Sequence, residues 1–364
     1  MTVRTISLAM LLICACLPMA PAAAQGDEAW RTPFQRANEL FFQGKFEECL
    51  SLAKDAVALA EAARRQRGGV AAALNRQAEC HRQLAQYAAA EPLYKRSLEI
   101  RERVRGGDSP EVAQSLHNLS QLYANQGQYA AAEPLMKRSL EIREKAQADS
   151  TFTAISLNGL AELYREQGRF AEAEPLYRRS LPIWEKAIAG EHVAPGTVNQ
   201  YVFALNGLAG IEGQQGQFEA AEGYFKRAIE VIDGARDRDH PLMARSLQGL
   251  AGLYVRQKEW DRAETLYKRA VAIMEDSLDR GHPRMAALLQ GLAGVYAARG
   301  ENIAAEALLR RALDIRVAAL GDSHPEVATT LERLAALYAS QGKSAEAKQA
   351  ADRAAAIRSS KPRS

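Results

Sequence analysis

The sequence predicts an all-α solenoid, a superhelix of about eight helix–turn–helix repeats. Three observations carry that prediction. The stretch 127–142, GQYAAAEPLMKRSLEI, recurs as AQYAAAEPLYKRSLEI from Ala85, GRFAEAEPLYRRSLPI from Gly168, GQFEAAEGYFKRAIEV from Gly216 and KEWDRAETLYKRAVAI from Lys258. Weaker copies begin at Gly44, Gly300 and Gly342. The residue after each turn keeps a steady register at Phe46, Tyr87, Tyr129, Phe170, Phe218, Trp260, Asn302 and Ser344, with steps of 41, 42, 41, 48, 42, 42 and 42. Within each unit the apolar residues follow helical spacing, as Leu116, Leu119 and Tyr123 do. Self-similarity at a fixed period of this length marks a stack of supersecondary units.

The elements follow in order. Residues 1–24 read as a secretory signal peptide: Arg4, an apolar run over 6–17 and small residues before Gln25. The apolar run is too short to span a bilayer, and no later run reaches that length. Ile13-Cys14-Ala15-Cys16 resembles a bacterial lipobox and makes Cys16 a candidate lipid anchor. Residues 25–358 form the array, and 359–364 are expected to be a disordered tail. In each unit a first helix (A) leads through a two-residue turn to a second (B). Alanines 90, 132, 173, 221, 263, 305 and 347 form a small-residue row that lets neighbouring helices approach. Pro92, Pro134 and Pro175 lie inside B helices and predict a slight bend. His240-Pro241, His282-Pro283 and His324-Pro325 precede successive A helices, where proline fits the first helical position and the histidine the cap. Histidines one repeat apart cannot converge on one metal ion. The last unit loses its aromatic anchors at Ser344 and Ala351, as a solvated terminal cap requires.

The leucine, small residue, tyrosine, glycine, aromatic, alanine and aromatic of Leu119, Ser120, Tyr123, Gly127, Tyr129, Ala132 and Tyr177 resemble the tetratricopeptide repeat, with Met136 replacing the last aromatic in its own unit. The period and the wording LYxxQGxYxxAEPLYKRSLxI resemble its kinesin-light-chain-like subtype. The resemblance covers nearly the whole array. It implies a non-catalytic scaffold that binds a protein or peptide in a concave groove, and the leader predicts an exported bacterial protein of the periplasm or cell envelope. The alternative is an outer-membrane lipoprotein that holds an envelope assembly together. No cofactor and no nucleic-acid partner are expected: 47 basic residues against 44 acidic leave a net charge of +3. No GxSxG, Walker loop, HExxH or CxxC is present in the sequence.

The inner face of the A helices carries the candidate partner-binding residues. Asn118 lies there beside Gln114 and Gln121. Asn158, Asn206, Gln248 and Gln290 form a row, preceded in it by Asn75 and His117. Glycines run beside them at 159, 207, 249 and 291, and again at 210, 252 and 294. Glycine inside a helix costs about 0.8–1 kcal/mol relative to alanine, so close packing or a bare groove floor must offset it. Arg245 and Arg256 project on this face as candidates to hold an acidic group.

The basic pairs, such as Lys95-Arg96 and Lys268-Arg269, each follow a glutamate by four residues, which predicts a self-neutralised outer face. Cys49 and Cys80 are a candidate disulfide in an oxidising compartment. Two features break the pattern. The loop around 190–197 is six residues longer than in the 42-residue units, and Glu212 stands where tyrosine stands at 123, 164, 254, 296 and 338. They predict either a loosened joint, with Glu212 at solvent or on a basic side chain, or a docking notch between two sub-arrays of four units.

Overall fold

A computed structural model describes residues 28–63, 67–190, 192–235, 240–277 and 281–359. The leader, Cys16 and the tail beyond residue 359 lie outside the described residues. The fold is all-α: the described residues form sixteen helices and no strand.

The helices divide between two compact units, one ending at Ala146 and the other beginning at Gln147. The first holds α1 (Arg31–Phe42), α2 (Phe46–Ala62), α3 (Arg67–Gln83), α4 (Tyr87–Arg105), α5 (Pro110–Asn125) and α6 (Tyr129–Gln147). The second holds α7 (Thr151–Glu166), α8 (Phe170–Ile188), α9 (Thr197–Gln214), α10 (Phe218–Gly234), α11 (His240–Arg256) and α12 (Trp260–Ser277). It continues with α13 (Pro283–Ala298), α14 (Asn302–Leu320), α15 (Pro325–Ser340) and α16 (Ser344–Ser359). Odd-numbered helices are the A helices and even-numbered the B helices. The division follows the third repeat and does not split the array four and four at 190–197. There α8 and α9 pack directly on one another, so the longer loop loops out without parting the helices.

Local chemistry sets each boundary. Six of the eight turns place a glycine in the left-handed region, as at Gly127 (φ 71°) and Gly168 (φ 72°). The other two force Ala85 (φ 56°) and Lys258 (φ 60°) into it. A Cβ there is unfavourable by roughly 1–2 kcal/mol. Glycine's extra freedom in the unfolded chain offsets part of that. Lys258→Gly is therefore expected to raise stability by about 0.5–1 kcal/mol in chemical denaturation. Caps start the A helices: Ser109 accepts from the Val112 amide at 3.3 Å and Ser150 from Thr153 at 3.2 Å. His282 and His324 do the same through Nδ1, from Arg284 and Glu326, each at 3.2 Å. These two loop histidines are thus helix caps. The B helices run unbroken through Pro92, Pro134 and Pro175.

Packing repeats with the sequence. Cys49 and the alanines at 90, 132, 173, 221, 263 and 305 are wholly buried in one register. Four residues on, Tyr94, Met136, Tyr177, Phe225, Tyr267 and Leu309 fill the space between repeats. Cys49 of α2 and Cys80 of α3 are joined in a disulfide with Cα atoms 6.3 Å apart, both wholly buried. Breaking it with Cys80→Ala frees a 31-residue separation in the unfolded chain. The expected loss is about 2–4 kcal/mol from the first unit, read by denaturation with and without reductant.

Candidate functional site

The register that places a residue on the inner face also decides what it meets in the next repeat. Twelve residues before the turn residue, in six of the eight repeats, lies the amide row with His117 in it, and the structure uses most of it between repeats. Asn158 is 1% exposed; its amide donates to the Gln200 carbonyl at 3.0 Å and its oxygen accepts from Ser180 at 2.6 Å. Gln290 is buried and accepts from Arg316 at 2.8 Å. Asn118 belongs to the neighbouring register, the one that holds glycine in later repeats. It is buried and donates to Asn75 at 2.9 Å and Glu79 at 3.1 Å. Arg256 is bonded to the Gly213 carbonyl and stacks 5.2 Å over Phe218, so it caps its neighbour α9 instead of joining Arg245. The helix spacing that puts these polar groups in line also brings them within hydrogen-bonding reach of the next repeat.

Three of the candidates do meet. Asn206, Arg245 and Gln248 line one open pocket of about 410 Å³ with Phe203, Gly249 and Gly252. Asn206 donates to Ser246 at 2.9 Å, and its own oxygen is buried without a hydrogen-bond partner. Arg245 is exposed, its guanidinium 5.5 Å from the Phe203 ring centre. At one wall Glu162 takes two hydrogen bonds from Arg165, at 2.7 and 2.6 Å, and one from the Tyr177 hydroxyl at 2.7 Å. Burial opposes its ionisation, but these donors outweigh burial and hold its carboxyl below the usual carboxylate range. Arg245 and Gln248 also line a second pocket of about 240 Å³, with Met274, Ala287 and Leu288 as an apolar floor and Arg284 at the edge. The two pockets share those residues and form one trough along α9, α11 and α13.

The glycines of this face separate into two kinds. A Cβ at Gly207, Gly249 or Gly291 would lie 2.5, 2.3 or 2.5 Å from the ring of Tyr177, Phe225 or Tyr267. These three are notches for the aromatic of the preceding B helix. Gly210 and Gly294 have nothing within 4 Å of that position, and Gly252 only the Tyr267 hydroxyl at 3.9 Å. Gly252 lines the first pocket, and at Gly210 and Gly294 the helix backbone of the same register is bare.

On the B helices every basic pair answers to its glutamate: Lys95 to Glu91, Lys137 to Glu133, Arg178 to Glu174, Lys226 to Glu222, Lys268 to Glu264 and Arg310 to Glu306. These exposed pairs each add little. Sequence reasoning missed the third member. The tyrosine hydroxyl of the next A helix donates to the same glutamate, Tyr123 to Glu91 at 2.9 Å, Tyr254 to Glu222 at 2.8 Å and Tyr338 to Glu306 at 3.1 Å. The signal was present as matched periods of tyrosine and glutamate. A half-buried and a buried arginine, Arg101 and Arg316, were missed as well. Arg101 bonds Ser115 and the Glu111 carbonyl, and Arg316 bonds Thr330 and the Glu326 carbonyl, in the same register of two repeats. Glu212 is 1% exposed and its Oε1 accepts from Arg178 at 2.5 Å, so of the two expected placements it takes the basic side chain.

Comparison with known proteins agrees with this construction. No curated protein matches the sequence. Among solved structures, BtubC (BKLC) from P. vanneervenii is similar at 25% identity over 66% of this chain and 92% of its own, with a TM-score of 0.50. A kinesin light chain with nearly identical TPR-like repeats from Podosopora anserina aligns at 25% identity over 57% of this chain and 96% of its own, TM-score 0.47. The apo form of the quorum sensor NprR from B. thuringiensis shares the fold at 13% identity, over 90% of this chain and 87% of its own, TM-score 0.65. A family model described as tetratricopeptide repeat matches residues 69–145, 125–186, 152–198, 201–276 and 284–360, more than half of the chain. The chain belongs to the tetratricopeptide repeat family.

Proposed function

We propose that this protein binds an extended polypeptide segment in the trough of its second compact unit, over Gly210 and Gly252 and beside Asn206, Arg245 and Gln248. The family is one of protein–protein interaction scaffolds; the choice of surface is the proposal. The single observation that carries it is the bare backbone at Gly210, Gly252 and Gly294, which packing does not explain. Helical glycine is unfavourable by about 0.8–1 kcal/mol each, so a role in admitting a partner's backbone would account for it. Beside that floor, Gln248 supplies both a donor and an acceptor, and Arg245 holds an acidic side chain. Met274, Ala287 and Leu288 take an apolar one.

We further propose that the protein is exported. The Cys49–Cys80 disulfide supports an oxidising compartment, and the leader-like residues 1–24 agree with one. Mass measurement of the native N-terminus distinguishes cleavage at Gln25 from lipidation at Cys16, the latter favouring the envelope-assembly reading.

Selection from a displayed peptide library against the chain tests the groove. Arg245→Ala with Gln248→Ala is expected to weaken the selected peptide at least tenfold, because two polar contacts of about 1 kcal/mol or more are lost. Lys226→Ala, on the B-helix side, is expected to leave it unchanged. The reverse pattern would place the working surface on the B helices.

A further inference from the structure

Two departures from the repeat fall at one place. Tyrosine becomes Glu212 on α9, and the B-helix residue that is Pro92, Pro134 and Pro175 in repeats two to four becomes Gly223 on α10. Both residues line a cavity of about 410 Å³ between α8, α9 and α10, on the opposite side of α9 from the trough residues Phe203 and Asn206. Gly223 has nothing within 4 Å of its absent Cβ, and the cavity opens where a side chain would have stood. Glu212 closes it from inside, 1% exposed, with Oε2 buried and without a hydrogen-bond partner.

The lining holds two carboxylates, Glu185 and Glu212, and two guanidiniums, Arg178 and Arg227. Arg178 is shared by Glu174 at 2.9 Å, Glu212 at 2.5 Å and the Tyr224 hydroxyl at 3.0 Å. Tyr201 donates to Glu185 at 2.9 Å, and Arg227 serves Tyr201 and, at 3.6 Å, Glu230. Glu174 and Glu230, which do not line the cavity, thus draw on the same two guanidiniums. A buried carboxylate oxygen left unmatched is costly, and the group that satisfies it is a donor, best a cationic one. Oε1 is already held by Arg178, so one oxygen remains. That fits the point charge of an ammonium better than the planar two-pronged fork of a guanidinium. Leu181, Leu205 and Ala220 give an apolar wall for an alkyl stem leading to it.

We propose that this cavity is a binding site for an alkylammonium group, with Glu212 as its counter-ion and Tyr224 and Glu185 as flanking polar groups. The ammonium belongs either to a small free amine or to a lysine side chain of a partner. The site is separate from the trough, so neither reading depends on the other.

The test is calorimetric titration of the full chain with cadaverine, n-butylamine and Nα-acetyl-lysine amide, with acetate as the anionic control. Saturable binding of at least one amine is expected, with none of acetate. Glu212→Gln is expected to weaken it tenfold or more. Glu212→Tyr, which restores the repeat's own residue and its hydroxyl towards Glu174, is expected to abolish it while circular dichroism stays that of the parent. Tighter binding of cadaverine points to a free diamine, and tighter binding of the lysine amide to a partner side chain. Arg245→Ala with Gln248→Ala is expected to leave amine binding unchanged. Absence of saturation by all three amines, or equal affinity in the parent and Glu212→Gln, would overturn the proposal whatever the trough does.

Discussion

Gly207→Ala is expected to destabilise the second unit, and Gly210→Ala, one turn further along α9, to stabilise it. The helix gains about 0.8–1 kcal/mol from either change. At Gly207 the new methyl would meet the Tyr177 ring at 2.5 Å. That ring is wholly buried and its hydroxyl is tied to Glu162, so it has no room to withdraw. Overpacking of roughly 1–3 kcal/mol then offsets the propensity gain and leaves a net loss of up to about 2 kcal/mol. At Gly210 nothing opposes the gain. Thermal unfolding of both variants reads the difference directly. Equal shifts would mean that the two glycine rows do not differ in kind, and the bare floor would lose its meaning.

The second large effect is a pH dependence in the first unit. His117 stands in the amide row of α5, is buried, and has a pKa lowered to about 3 by burial, with Arg143 and Arg82 adding to the shift. Its Nδ1 is buried without a hydrogen-bond partner. The sign follows from proton uptake. Below the ordinary histidine value of 6.5 the unfolded chain binds a proton that the folded chain refuses, so stability falls as pH falls from there towards the folded value. The slope approaches about 1.4 kcal/mol per pH unit, or about 2 kcal/mol between pH 7 and pH 5. Asn75, Asn158 and Asn206 fill the same register elsewhere. His117→Asn is therefore expected to keep the fold and to flatten this dependence, as measured by denaturant midpoints across that range. An unchanged slope in the variant would assign the loss to other groups.

Much of the fold was legible because it repeats. The helix starts at Phe46, Tyr87, Tyr129, Phe170, Phe218, Trp260, Asn302 and Ser344 are the eight register residues, since each follows a turn whose backbone conformation is local. The glutamate–lysine pairs were legible for the same reason, being neighbours on one helix. The site was less so. A row such as Asn158, Asn206, Gln248 and Gln290 has one spacing in sequence, but its fate depends on what the next repeat offers. Asn158 meets the Gln200 carbonyl and Gln290 meets Arg316, while Gln248 meets the trough. Likewise the two glycine rows differ only in whether Tyr177, Phe225 or Tyr267 reaches them across a repeat. Contacts that join one repeat to the next are set by side-chain reach between helices, and helical period alone does not encode it. The change at Glu212 was visible as a break in pattern; its partner Arg178 and the space beside Gly223 were not.

Amide hydrogen exchange of the chain with and without a library-selected peptide tests the central claim most directly. The account predicts added protection over 203–210 and 245–252, the helix segments whose glycines and amides form the trough, with the B helices unchanged. Protection confined to the B helices, or to the first unit, would contradict it.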